Sequence, residues 1–254
     1  MVNINTSIET GLVHHHLNLV HTPHIRKVKT IAFQPKALKK PLTVGGLLKS
    51  INSTQTPAVL LGECTDKRPF LIELGEPEMS AILISGEKGS GKTHHLQVLA
   101  DSALRLNSPN QLQIGVLTFK PFEWKSITNQ DSFRKYSQGV FAWYDSWAEI
   151  CIQRLYDLAH ARREGNQSSA SILLLLDNLN FIEEMSFEAQ FNLRWLLEYG
   201  SQSGVWIAAA IKSELIGNHR FWTECFRTRI IGKSSSEAYS HSTIDQIGPR
   251  TSGL

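Results

Sequence analysis

Residues 81–95, Ala-Ile-Leu-Ile-Ser-Gly-Glu-Lys-Gly-Ser-Gly-Lys-Thr-His-His, set Gly86, Gly91, Lys92 and Thr93 at the G-x-x-x-x-G-K-[ST] spacing. An apolar strand pattern precedes them and a helical pattern follows. These residue types suit a phosphate chain lying close to bare backbone. Gly86, Gly89 and Gly91 allow the turn and the approach, and the amides from Glu87, Lys88 and Ser90 through His94 then face the anion with a helix N-terminus behind them. Lys92 is placed to reach the outer phosphates and Thr93 to offer its hydroxyl to magnesium. The plain alternative is a glycine-rich turn that holds no ligand. His94 and His95 also suit ordinary first-turn positions.

The second chemical group is Ser-Ile-Leu-Leu-Leu-Leu-Asp-Asn-Leu-Asn-Phe, residues 171–181. Four leucines in a row read as a strand buried on both faces, and the first polar residue at its end is the carboxylate of Asp177. In a parallel sheet that tip emerges beside the phosphate loop, where Asp177 joins Thr93 as a magnesium partner; as turn chemistry, the same residue caps a helix. Hydrolysis needs a water to be oriented and to lose a proton. Asn178 can hold a water through its carbonyl oxygen but cannot take the proton. The other nearby carboxylates are Glu123, in Thr-Phe-Lys-Pro-Phe-Glu, and Glu183 and Glu184, all of which also suit a solvated surface. The catalytic candidates are therefore Lys92, Asp177, Glu123 and Asn178, with Glu123 the first substitute base.

Positioning these groups requires strands that end on one edge. Short apolar runs alternate with amphipathic stretches from about Thr56, which predicts an α/β domain with a mostly parallel sheet and helices on both faces. Strands are expected near 58–61, 69–74, 81–85, 112–118, 140–142, 172–176, 205–211 and 229–232, the first two as a hairpin around Glu-Cys-Thr-Asp-Lys-Arg. Asp145 or Ser146 should cap a helix with Trp147, Cys151, Leu155 and Leu158 on one face, and a second helix should end at Gly200. Two regions follow: a basic extension over 1–55 and the nucleotide-binding domain over 56–254.

Composition narrows the function classes. The chain has 254 residues, 41% hydrophobic and 19% charged, and a formal charge of +3, which suits a soluble globular protein with one sizeable core. Cys64, Cys151 and Cys225 are odd in number and lack C-x-x-C pairing, which argues against a disulfide framework or zinc site and for a reducing cytoplasm. No apolar run approaches the roughly 20 residues that span a bilayer. Positive charge concentrates before Ser53, where Arg26, Lys27, Lys29, Lys36, Lys39 and Lys40 face the single acid Glu9. That segment reads either as an arm or wrapping over the core, or as a contact to nucleic acid phosphates or a neighbouring subunit. His14, His15, His16 and His21 lack the spacing and nearby acid of a metal site.

Taken together, several stretches resemble the motor domain of the FtsK/HerA class of P-loop ATPases, from about Pro57 to Gly248. Val-Leu-Leu-Gly-Glu-Cys-Thr-Asp-Lys-Arg-Pro-Phe-Leu-Ile-Glu-Leu looks like the family's hairpin. Thr-Phe-Lys-Pro-Phe-Glu is similar to its Asp-Pro-Lys-x-x-Glu stretch, with Lys120 and Glu123 in place but Thr118 and Phe119 for Asp and Pro. Trp-Ala-Glu-Ile-Cys-Ile-Gln-Arg-Leu-Tyr-Asp-Leu-Ala-His-Ala-Arg-Arg, residues 147–163, looks like the family's helix that ends in a basic turn. Gly204, Arg229, Ser234 and Asp245 match late blocks, whereas Ser201, Ile211 and Lys212 stand where Arg, Thr and Gln are usual, and Asn178 replaces the usual Glu. No winged-helix segment is recognisable.

The resemblance implies a RecA-like three-layer sandwich behind a short hairpin, with ATP and Mg2+ as ligands. It also implies a homo-oligomeric ring translocating, packaging or transferring double-stranded DNA, in which Arg229 is a candidate for donation to a neighbour. The departures favour an alternative, a nucleotide-dependent switch or structural subunit that turns over little. Phosphate transfer to a small acceptor is the third reading.

Overall fold

The leucine run forms a strand buried on both faces, and the other elements are arranged around it. A computed structural model of the protein describes residues 2–3, 30–33, 43–51, 54–75, 80–165 and 170–232. In chain order the elements are β1 (Val2–Asn3), β2 (Thr30–Phe33), α1 (Val44–Leu47), β3 (Ala58–Glu63), β4 (Pro69–Glu73), β5 (Ile82–Gly86) and α2 (Lys92–Leu106). Then follow β6 (Leu112–Thr118), α3 (Lys125–Thr128), α4 (Phe133–Tyr136), β7 (Ser137–Ala142), α5 (Ser146–Arg163), β8 (Ser171–Leu176), α6 (Phe187–Tyr199), β9 (Val205–Lys212), α7 (Arg220–Thr223) and β10 (Thr228–Ile231). Strands β3 to β10 lie within three residues of their expected positions, whereas β1 and β2 were not expected. Arg26, Lys27, Lys29, Lys36, Lys39 and Lys40 of the N-terminal extension, its clustered histidines, Ser234 and Asp245 lie outside the described residues.

The main sheet has the order β1-β2-β10-β5-β9-β8-β6-β7, and every neighbouring pair except β1–β2 is parallel. The phosphate-loop strand β5 and the carboxylate strand β8 are thus separated by β9. Odd and even positions of β8 and β9 feed opposite cores. Ile172, Leu174 and Leu176 pack with Ile207, Ala209 and Ile211 beneath α5 and α6, while Leu173 and Leu175 pack with Ala208 and Ala210 against α2 and the hairpin. This makes the α/β three-layer arrangement with a short antiparallel β3–β4 hairpin.

Polar side chains of α2 fasten that hairpin. Asn107 accepts from Ala58 N at 2.9 Å and donates to Ala58 O at 2.9 Å, and Ser102 Oγ accepts from Leu60 N at 2.9 Å. The edge of β3 that faces away from β4 is thereby hydrogen-bonded to the helix that begins at the phosphate loop. Helix starts follow the expected chemistry: Asp145 accepts from Trp147 N at 3.1 Å to cap α5, and Ser186 accepts from Ala189 N at 3.3 Å to cap α6. One expectation fails on α5. Cys151 and Leu155 are buried, but Trp147 in the first turn is 51% exposed, because the buried face of the helix runs through Ala148, Ile152, Leu155 and Ala159 and leaves Trp147 at its side.

Candidate functional site

Four strand tips on one edge of the sheet, those of β5, β9, β8 and β6, build the site. After β5 the chain turns through Gly89 and Gly91, whose φ values of 78° and 87° lie in the left-handed region that side chains disfavour. Gly86 is needed for a different reason, because a Cβ there would collide with Ser90 Oγ. Gly91 caps α2 without a side-chain acceptor, and the first helical bond runs from His95 N to Gly91 O at 2.8 Å. The preceding amides therefore project from the helix end with its partial positive charge.

Lys92 Nζ donates to Gly86 O at 3.0 Å, Glu87 O at 2.7 Å and Ser90 Oγ at 3.4 Å. The ammonium is folded back over the loop. Its pKa is pushed below the ordinary lysine value, first by burial and then by the charge of Lys212, against the pull of Asp177 and Glu214. Lys212 ends β9, in register with Gly86, and its Nζ lies 3.7 Å from Glu214 Oε1. Two cations thus converge on one loop, an arrangement that a bound polyanion would relieve.

Asp177 is 3% exposed. Thr93 Oγ1 donates to its Oδ1 at 2.9 Å, Thr118 Oγ1 donates to Oδ2 at 3.1 Å, and Trp143 Nε1 donates to its backbone oxygen at 2.9 Å. Burial raises the Asp177 pKa, while the two hydroxyls and the Trp124 indole oppose that rise. Trp124 Nε1 is itself buried near that carboxylate, without a well-aligned hydrogen bond. A hydroxyl and a carboxylate 2.9 Å apart beside glycine-freed amides form a hard-oxygen pair suited to Mg2+ with a phosphate chain. The donor set fits both groups. Among the described residues, no cluster of three or more His, Cys, Asp or Glu offers another metal site.

The candidate bases are all engaged or displaced. Asn178 has φ 73° and begins the 3-10 turn Leu179–Glu184, so a residue tolerant of left-handed backbone occupies the position after the carboxylate. Lys120 Nζ donates to Glu123 Oε1 at 2.9 Å, and the Glu123 charge adds only a minor push against the ionisation of Asp177. Glu183 Oε1 lies 2.6 Å from His219 Nδ1, and Glu184 is exposed on the same turn. His94 is exposed, whereas burial drives His95 down to about 4 and keeps its ring neutral at pH 7.

Two sequence readings need correction. Ser201 lies in the 3-10 turn Gly200–Ser203 that leads into the start of β9, whereas Lys212 ends it. Seven residue steps at about 3.3 Å put Ser201 on the opposite edge of the sheet, roughly 20 Å from the phosphate loop, so its departure says nothing about catalysis within this subunit. Nearby, Arg162 donates to Ser203 O at 2.9 Å and also to Ala170 O, holding strand starts together. Arg229 is 7% exposed and donates to Thr223 O at 2.8 Å, so it is turned into its own fold and is not offered to a neighbour. Sequence reasoning missed Thr118 as a partner of Asp177, along with Trp124, Trp143 and Glu214. For Thr118 the available signal was its place at the end of a long apolar strand, as with Asp177.

The sequence model of the FtsK/SpoIIIE family matches residues 51–129, from before the hairpin through the phosphate loop to the end of α3. No curated protein matches the chain. Solved structures of similar shape include ATPases 2 and 3 of EccC from Thermomonospora curvata in complex with a signal sequence peptide. That likeness has 14% identity and a TM-score of 0.55 over 68% of this chain and 32% of that one. The cytoplasmic domain of the type VII secretion ATPase EccC from the same organism aligns at 13% identity and a TM-score of 0.58, over 72% and 23% of the two chains. ATPases 2 and 3 of EssC from Geobacillus thermodenitrificans align at 18% identity and 0.57, over 79% and 42%. The chain thus spans between about a quarter and two fifths of these relatives. At such identities the likeness shows the fold, the RecA-like α/β fold of P-loop ATPase domains.

Proposed function

We propose that the protein is an FtsK/SpoIIIE-type ATPase domain that holds ATP on Gly86–His94 with Mg2+ between Thr93 and Asp177. The observation that carries this reading is the Thr93–Asp177 hydrogen bond of 2.9 Å, made across 84 residues of sequence between the phosphate loop and the end of β8. The nucleotide and its metal supply a phosphoanhydride whose outer phosphate is open to attack by water.

The chain's own residues divide the remaining work. The loop amides and the α2 N-terminus bind the phosphates, Lys92 swings from Gly86 O and Glu87 O towards them, and Lys212 adds a second cation at the tip of β9. Thr93 and Asp177 orient the metal. Glu123 takes the proton from water once Lys120 releases it, and Asn178 orients that water. On the family resemblance, the domain works in the cytoplasm as one subunit of a homo-oligomeric ring on double-stranded DNA. The likeness to EccC and EssC instead supports polypeptide as the cargo. ATP turnover of the wild-type protein and Lys92→Ala, measured alone, with double-stranded DNA and with a secretion-signal peptide, tests the reading and separates the cargoes.

A second reading has its own observation. With Asn178 in place of a carboxylate, Glu123 in an ion pair and Glu183 on His219, the groups that would accept a proton are occupied. The domain then serves as a nucleotide-held switch that assembles on ATP and turns over slowly. Nucleotide-dependent assembly without turnover is its signature.

A further inference from the structure

Thr118 ends β6 with no exposed surface, and its hydroxyl has a defined polarity. Lys120 N donates to Thr118 Oγ1 at 3.1 Å, so the hydroxyl's own proton is directed at Asp177 Oδ2, also 3.1 Å away. Thr93 holds Oδ1 at 2.9 Å, and Trp143 holds the backbone oxygen at 2.9 Å. These donors come from the ends of different elements: the start of α2, the end of β6 and the segment just after β7. A carboxylate bound through one oxygen can rotate about its Cβ–Cγ bond, whereas one bound through both oxygens from opposite sides has its plane fixed. One acceptor site on each oxygen is used, and the remainder stay available.

We propose that Thr118 is a positioning residue for the metal: its hydroxyl fixes the plane of the Asp177 carboxylate so that the remaining lone pairs face the phosphate loop and the metal's water shell. The proposal rests on reading Asp177 as a magnesium partner. The same position carries an acid in the family pattern that this chain resembles, and a second carboxylate there would repel Asp177 rather than donate to it. Thr118 therefore supplies a donor where that pattern supplies an acceptor. The indole N–H of Trp124, buried in the same region, is a further donor that favours the charged carboxylate.

The test compares the wild-type protein with Thr118→Val, which keeps the shape and removes the donor, and Thr118→Ser, which keeps the donor. Mn2+ affinity is read by electron paramagnetic resonance at saturating ATP, and ATP affinity is read separately in a chelator. Loss of an outer-shell partner of a metal ligand weakens metal binding by about 10–100-fold. That loss is expected for Thr118→Val, with ATP affinity in the chelator unchanged within about twofold and Mn2+ affinity restored by Thr118→Ser. Equal losses in both measurements, or Thr118→Ser behaving like Thr118→Val, would assign Thr118 a purely structural role and overturn the proposal. Mn2+ affinity unaltered in Thr118→Val would overturn it as well. If Thr118→Val does not fold, Thr118→Ala makes the same contrast. A wild-type protein that binds ATP but takes up no Mn2+ with it would overturn the magnesium reading itself, and this proposal with it.

Discussion

Replacing Asn178 with glutamate restores the side chain usual after a metal-binding aspartate, and the backbone predicts what that costs. Asn178 has φ 73° and ψ 79°. An ordinary L-residue in the left-handed region loses about 1–2 kcal/mol, and Asn and Asp are partly exempt because their short side chains bond locally. Asn178→Glu should therefore destabilise the protein by about 1 kcal/mol, or about 2–4 °C in Tm for a chain of this size. Asn178→Gly should lie within about 1 kcal/mol of wild type, since glycine has no Cβ penalty but more chain entropy to lose. Asn178→Asp separates the effects, because it keeps the backbone tolerance and places a negative charge beside buried Asp177. Urea unfolding of the four proteins gives the ranking. Asn178→Glu as stable as wild type, with an unchanged m-value, would refute the claim that backbone conformation selects the residue here. Turnover gained by Asn178→Glu despite lower stability would support the switch reading.

Other expectations concern binding, chemistry and stability. Lys92→Ala removes charge-assisted hydrogen bonds of about 1.5–3 kcal/mol each, so affinity for a fluorescent ATP analogue should fall at least tenfold. Glu123→Gln should lower kcat by about 10²–10⁴ with ATP affinity nearly unchanged if Glu123 is the general base; undiminished turnover would remove it from that role. His95 has a folded pKa of about 4, below its unfolded value, so its contribution is complete above the unfolded pKa and is lost as pH falls towards 4. Unfolding free energy should drop by roughly 2–3 kcal/mol between pH 7 and pH 4 through this group, and His95→Leu should flatten that part of the profile. Leu174→Ala, at a fully buried position of β8, should cost about 2–5 kcal/mol in denaturant unfolding.

Much of this architecture was legible because its signals are local. Four successive leucines require two buried faces, and β8 has them; G-x-x-x-x-G-K-T requires a strand before it and a helix after it, and β5 and α2 supply both. What could not be read were juxtapositions. Thr118 and Asp177 are 59 residues apart, and only the register of β6 beside β8 brings the hydroxyl to the carboxylate. The family resemblance grouped Ser201 and Lys212 as departures that bear on hydrolysis, yet an extended strand of eight residues carries them to opposite sheet edges. Arg229 was a candidate for a neighbour's site through its match to the family's closing strand, but it is buried in β10 and donates to Thr223 O of its own fold. Trp147 failed in the opposite sense: helical periodicity put it on the apolar face, but in the first turn that face is occupied by Ala148, which is fully buried.

Titration calorimetry of ATP into the wild-type protein and Asp177→Asn, with and without Mg2+, tests the central claim most directly. The account predicts ATP binding that Mg2+ strengthens in the wild type and a loss of that Mg2+-dependent increment in Asp177→Asn, with metal-free binding preserved. Failure of the wild type to bind ATP, or binding that is indifferent to both Mg2+ and the substitution, would contradict the assignment of Thr93 and Asp177 as one nucleotide–metal site.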